Sequence, residues 1–154
     1  MNQAHIHLIV NHAPIVGSLF AGVLLGVGLL RKNDTLTRAG LVAVLAAGLL
    51  CLPAQLTGEG AAAIAQNLPR VSRALIQNHA AAAEMGFWTL EGAAALALFG
   101  LLLLKNASPK AGWLGWLTLA AAVISFGLLT RAGNLGGQIR HTEIRDGFGT
   151  ADEL

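Results

Sequence analysis

Five histidines carry most of the chemistry this sequence could do, and they are unevenly placed. His5, His7 and His12 fall in the opening stretch HIHLIVNHAPIVG, which holds no lysine, arginine, aspartate or glutamate. His79 opens a later apolar run in NHAAAAE, and His141 stands near the end in GGQIRHTEI. A neutral imidazole offers one lone pair to a metal, so the question is how many rings can share a centre. If the first helix runs from the start, His5 and His12 share a face about 10 Å apart along the axis, too far to hold one atom together. One imidazole per helix is therefore the natural unit. His12 and His79, brought from two helices to a common axis, would form the bis-imidazole arrangement that ligates a b-type haem.

The neighbours of His79 suit a flat macrocycle. Ala82, Ala83 and Gly86 follow at i+3, i+4 and i+7 on the same helical face. The first run offers Gly17 and Ser18, beside a bulkier Val16. Arg70, Arg73, Arg131 and Arg140 lie where they could give charge-assisted hydrogen bonds to haem propionates. A mononuclear Zn or Cu site is the rival reading. In it the His5-x-His7 pair, with His12, His79 or His141, joins Glu143 or Glu59 to complete four ligands at about 2 Å. Copper(I) fits less well, since Met1 and Met85 are the only methionines and Cys51 lies inside an apolar run. The plainest reading makes the histidines interfacial polar residues, with Asn11 and Asn78 capping helices.

The elements that must position these side chains are apolar helices. Of 154 residues 55% are hydrophobic and 12% charged, with a mean hydropathy of +0.62; soluble domains carry roughly 25% charged residues. Charges cluster between uncharged runs that approach the ~20 residues needed to cross a bilayer core about 30 Å thick. Four spans are expected, at about 11–30, 39–57, 79–104 and 112–131, with 132–154 as a tail. The fold class is all-α: a single integral membrane domain built as a four-transmembrane-helix bundle. The first run is not a cleavable signal peptide, because MNQAHIH has no basic segment and RKND ends the run like a stop-transfer signal. Cys51 is the single cysteine, which excludes disulfides and cysteine-rich metal sites. The cations form no stripe interleaved with aromatics, so nucleic acid is not expected as a partner.

Arg31, Lys32 and Arg38 crowd one short connection, and Lys105 and Lys110 the other. That density places these loops in the cytoplasm of a bacterial inner membrane and both termini on the periplasmic side. All five histidines then fall at the outer face. Self-similarity supports a duplicated hairpin. Asn11-His12-Ala13 corresponds to Asn78-His79-Ala80, Lys32-Asn33 to Lys105-Asn106, and Ala39-Gly40-Leu41 to Ala111-Gly112-Trp113. Parallel repeats of this kind are related by an axis along the membrane normal, which sets the first and third helices diagonally. Compositional resemblance among alanine- and leucine-rich helices is the competing explanation.

The third span contains Glu84 and Glu91, seven residues apart with Trp88 between them. Glu91 lies some 18 Å in from His79 at ~1.5 Å per residue. A carboxylate at that depth costs about 2.5–3.5 kcal/mol on insertion scales. Thr118, Ser125 and Thr130 are its candidate partners on the fourth helix. The pair reads either as proton carriers leading from the outer face or as protonated glue between helices. Glu84 is also placed to orient an imidazole as an outer-sphere acceptor.

The boxes HIHLIVNHAPIVG, LTGEG, NHAAAAE and GGQIRHTEI together resemble small bacterial four-span membrane proteins of unknown function. That resemblance covers nearly the whole chain and implies the same topology and the same histidines and glutamates, but no activity. The present chain is richer in alanine around AAAIAQNL and NHAAAAE. The expected function is electron transfer through a haem, with a quinone or a periplasmic redox protein as partner, inside a larger membrane complex or a homo-oligomer. The alternatives are a non-redox Zn or Cu protein and a cofactor-free structural subunit.

Overall fold

In the computed structural model, which describes residues 1–106 and 111–145, five α-helices and one 3-10 turn account for nearly all the backbone. Helix α1 covers Gln3–Val10 and α2 covers Ala13–Leu30. Helix α3 covers Asp34–Ala65, α4 Arg73–Lys105 and α5 Ala111–Arg140, followed by the turn Thr142–Ile144. Four stretches are long and apolar enough to cross a membrane: Gln3–Leu30, Asp34–Ala65, Arg73–Lys105 and Gly112–Arg140. The expected spans are thus found, but they are extended. Helix α3 has 32 residues and α4 has 33, so each is about 48–50 Å long at ~1.5 Å per residue.

The helices close a ring in the order α2–α3–α4–α5, with α5 returning to α2 and α1 lying on α3. Helices α2 and α4 are therefore diagonal, as a duplicated hairpin requires. At one end of the bundle, Arg38 Nη2 donates to the Leu104 carbonyl at 3.0 Å, tying the first hairpin to the second. All the histidines lie at the other end.

The packing is small inside and large outside. The core consists of Ala21, Leu25, Leu41, Val44, Ala93, Ala97 and Ala122, with Ala47, Cys51, Phe87, Leu90 and Leu129 beyond them. Phe20, Phe99, Val123 and Ile124 are more than half exposed. A soluble core would bury those side chains. In lipid they lose nothing by facing out, and association rests on close contact between small residues. This inversion and the helix lengths mark a multi-pass membrane protein.

Helix ends follow local chemistry. Asn33 and Ser72 cap α3 and α4, accepting from Leu36 N at 3.0 Å and Leu75 N at 3.3 Å. Helix α4 therefore begins at Arg73, six residues ahead of the span expected from 79. Helix α2 ends in a Schellman motif, with Lys32 at φ 50° and Asn33 N donating to the Gly28 carbonyl at 2.9 Å. A lysine in that left-handed position carries a steric cost that glycine lacks. Lys32→Gly is expected to stabilise the protein by about 1 kcal/mol in detergent unfolding.

The entry to the first span differs from expectation. Residues 3–10 are helical and lie on α3, and Asn2, not Asn11, is the side-chain cap, accepting from His5 N at 2.9 Å. The helix hitches at Asn11 and His12, where Pro14 brings no N–H, and resumes with Val16 N on the His12 carbonyl.

Candidate histidine site

The hitch leaves one stripe running through both pieces. Asn11, Pro14, Ser18, Ala21, Leu25 and Gly28 repeat at steps of three and four, and Pro14, Ser18, Ala21, Leu25 and Gly28 are all buried. Extended back one turn, this stripe begins at His7. His5 and His12, seven apart, share a different face, and both are exposed. His12 makes no side-chain capping bond. On α4, His79 heads the corresponding stripe through Ala82, Gly86, Leu90, Ala93 and Ala97.

His7 on α1 and His79 on α4 lie close together. Their ring centroids are 6.3 Å apart and the rings are nearly perpendicular, at 85°. Each ring is held through Nδ1: His7 on the Ala54 carbonyl at 3.0 Å, His79 on the Ala132 carbonyl at 2.8 Å. A carbonyl only accepts, so Nδ1 carries the proton and Nε2 of each neutral ring keeps its lone pair. Thr57 Oγ1, which donates to the Pro53 carbonyl at 2.7 Å, stands 3.1 Å from His7 Nδ1 as a second acceptor.

Two glycines make room. A Cβ on Gly136 would lie 3.0 Å from His79 Cε1, and one on Gly58 would lie 3.9 Å from His7 Cε1. Each glycine follows its accepting alanine by one helical turn. The two halves of the chain thus repeat one device, an imidazole bonded to an alanine carbonyl with its ring on the next turn's glycine. This equates His7 with His79, where the Asn-His-Ala text equated His12 with it. Gly60 seats the Gln3 side chain as α1 crosses α3. The LTGEG and GGQIRH boxes are therefore landing strips for the two imidazole-bearing helices.

The other expected site residues are dispersed. Arg70, Arg73, Arg131, Arg140 and Glu59 are exposed, and among the described residues none of them is ion-paired. His141 does not fold back over the cluster. Helix α5 runs unbroken through Gly133, Gly136 and Gly137, and His141 Nδ1 bonds Glu143 at 2.8 Å in the open. The Glu143 carboxylate is held below its ordinary range, first by its own backbone N–H and then by the His141 ring. Glu84 is exposed and lines a lipid-side groove with Ala81, Met85, Trp88 and Thr89. Lys110 and the tail after Arg145 lie outside the described residues. Among those described, no three His, Cys, Asp or Glu side chains gather as a metal cluster.

Two residues escaped the sequence reading. Asn11 Oδ1, one turn along from His7, is buried with no donor from the chain. Arg145 closes the histidine end: its guanidinium donates to the Gln138 and Ile139 carbonyls at 2.7 and 3.1 Å and to the Arg70 carbonyl at 2.9 Å. Arg145→Ala should raise amide exchange about tenfold in the loop near Arg70 and the last turn of α5, from loss of about 1.5 kcal/mol locally. Unchanged exchange there would show that the tail is held by other contacts.

Compared with protein-family models, with curated proteins and with solved structures, the chain matches none.

Proposed function

We propose that this chain is an integral inner-membrane electron-transfer protein that holds one b-type haem between His7 and His79. The supporting observation is the imidazole pair itself: two rings, one from α1 and one from α4, 6.3 Å apart, each fixed by an Nδ1 bond. His7 and His79 would hold the haem iron through their Nε2 atoms, and a ring spacing of 6.3 Å leaves room for two bonds of ~2.0 Å to one metal. A haem asks the protein for two such nitrogens. A structural Zn site asks for four ligands, and the described residues bring together no third. The zinc and copper readings are weaker for that reason.

The chain's own groups have definite tasks. The Ala54 and Ala132 carbonyls select the tautomer that leaves Nε2 basic and stop the rings from rotating. Gly136 lets the His79 ring lie against backbone. Arg70, Arg73, Arg131 and Arg140 stand exposed on the elements at this end, suited to pairing with propionates. Haem, when bound, supplies one-electron chemistry. Lys and Arg density at the opposite end favours a cytoplasmic placement for Arg31, Lys32, Arg38 and Lys105. The histidine end then faces the periplasm, and a quinone or a periplasmic redox protein is the partner class.

The test is haem titration of the purified full chain in mild detergent. One haem per chain with a reducible Soret band and a sharp α-band is expected. A haem-supplemented preparation with no reducible absorption would overturn the proposal, and stoichiometric zinc or copper in its place would move the function to the metal reading.

A further inference from the structure

Glu91 is unlike every other polar group in the apolar length of the bundle. It lies twelve residues from His79 and fourteen from Lys105, about 18 and 21 Å along α4. Its Oε1 is shielded and has no hydrogen-bond partner among the described residues. The surface it faces is a glycine: a Cβ on Gly48 would lie 3.6 Å from each carboxyl oxygen and 2.8 Å from the Ala94 Cβ. Two of the three expected partners are committed elsewhere, and Thr130 is exposed. Thr118 and Ser125 donate to the Leu114 and Ala121 carbonyls of their own helix, each at 2.8 Å. Ser18 likewise donates to the Ile15 carbonyl at 2.9 Å, and Thr89 to Met85 at 2.7 Å.

On α3 the titratable group nearest in register to Gly48 is Cys51, three residues on and buried like it. Helix α5 has none between Gly112 and Thr130, and α2 has none between Ala13 and Leu30. No cation therefore fixes this carboxylate as an ion pair, and no hydroxyl fixes it as a hydrogen-bonded strut. A metal ion is also a poor fit. Sodium- or calcium-like cations take about six or more oxygen ligands, and one carboxyl against a glycine and a thiol offers two. A proton needs only one.

We propose that Glu91 is a reversible proton-binding site set within the membrane-spanning part of α4, with the Gly48 gap as its seat. The site does not depend on a cofactor at the histidine pair. It separates Glu91 from Glu84, which lies in the outward groove and is exposed.

The test uses the intact protein in lipid nanodiscs, read in two ways. A hydrophobic carbodiimide reacts with protonated carboxyls, and peptide mass spectrometry reports which glutamate it modifies. Infrared difference spectra report the protonated carboxyl stretch directly. Between about pH 5 and 9, Glu91 labelling should fall about tenfold per pH unit above its titration point. The infrared band should titrate with it, persist in Glu84→Gln and vanish in Glu91→Gln. A band and a labelling rate that stay constant across that range would overturn the proposal, leaving a fixed structural acid. Absence of both would overturn it equally. Because the wild-type chain itself is titrated, a variant that misfolds cannot decide the result.

Discussion

His7→Ala and His79→Ala should each abolish the low-spin, bis-imidazole spectrum of the haem-loaded protein, while His12→Ala and His5→Ala leave it unchanged. The contrast is sharp because the four residues sit close in sequence or in apparent register, and only two face the bundle interior. Each alanine would remove one of the two imidazole nitrogens offered to the haem, so the expected loss is complete, not a partial shift. A milder variant separates ligation from folding. Gly136→Ala puts a methyl group 3.0 Å from the His79 ring and pushes it off the Ala132 carbonyl. It should weaken haem affinity by about 10–100-fold, as loss of a supporting hydrogen bond around a ligating histidine does. Helicity stays intact. A His12→Ala protein that lost the spectrum would return the site to the register that the Asn-His-Ala repeat implies.

The largest effect on stability is expected at the opposite end. A Cβ on Gly40 would lie 2.5–2.7 Å from the backbone and Cβ of Leu25, and one on Gly28 would lie 2.5–2.9 Å from the backbone of Leu36 and Thr37. Backbone cannot step aside as a side-chain tip can, so α2 and α3 must separate. Gly40→Ala should cost about 3 kcal/mol or more, beyond the usual range for overpacking. At Gly22, Gly92 and Gly127 an added methyl group would meet nothing within 4 Å. Alanine there should be neutral or stabilising by up to about 1 kcal/mol through helix propensity. Unfolding of the four variants in one detergent measures the difference, and equal effects at Gly40 and Gly127 would refute the close crossing.

Much of this architecture was legible in the text. Hydropathy marked four long apolar helices, and the expected diagonal placement of the first and third agrees with the contacts of α2 and α4. What failed was phase. Asn11-His12-Ala13 and Asn78-His79-Ala80 match letter for letter, yet the chain turns His12 outward and His7 inward. The available signal was the small-residue stripe from Gly28 back to Pro14, which continues to His7 and misses His12. Helix length was underestimated for a related reason. Hydropathy stops where polar residues begin, but Ser72 capping and the alanine run to Ala65 carry α3 and α4 on for several turns. The roles of Gly58, Gly60 and Gly136 depend on which helix lies against them, a long-range fact. So does the guanidinium of Arg145, which reaches the Arg70 carbonyl 75 residues earlier in the chain.

Helices of about 48–50 Å outreach a hydrocarbon slab of about 30 Å by some 15–20 Å. Arg31, Lys32 and Lys105 favour holding their end at one boundary, so the surplus rises from the other. In that placement the imidazole pair would stand at the level of the lipid headgroups, still held between helices but close to water. A haem held there, as proposed, would be within reach of a carrier diffusing in the aqueous phase and of one confined to the lipid.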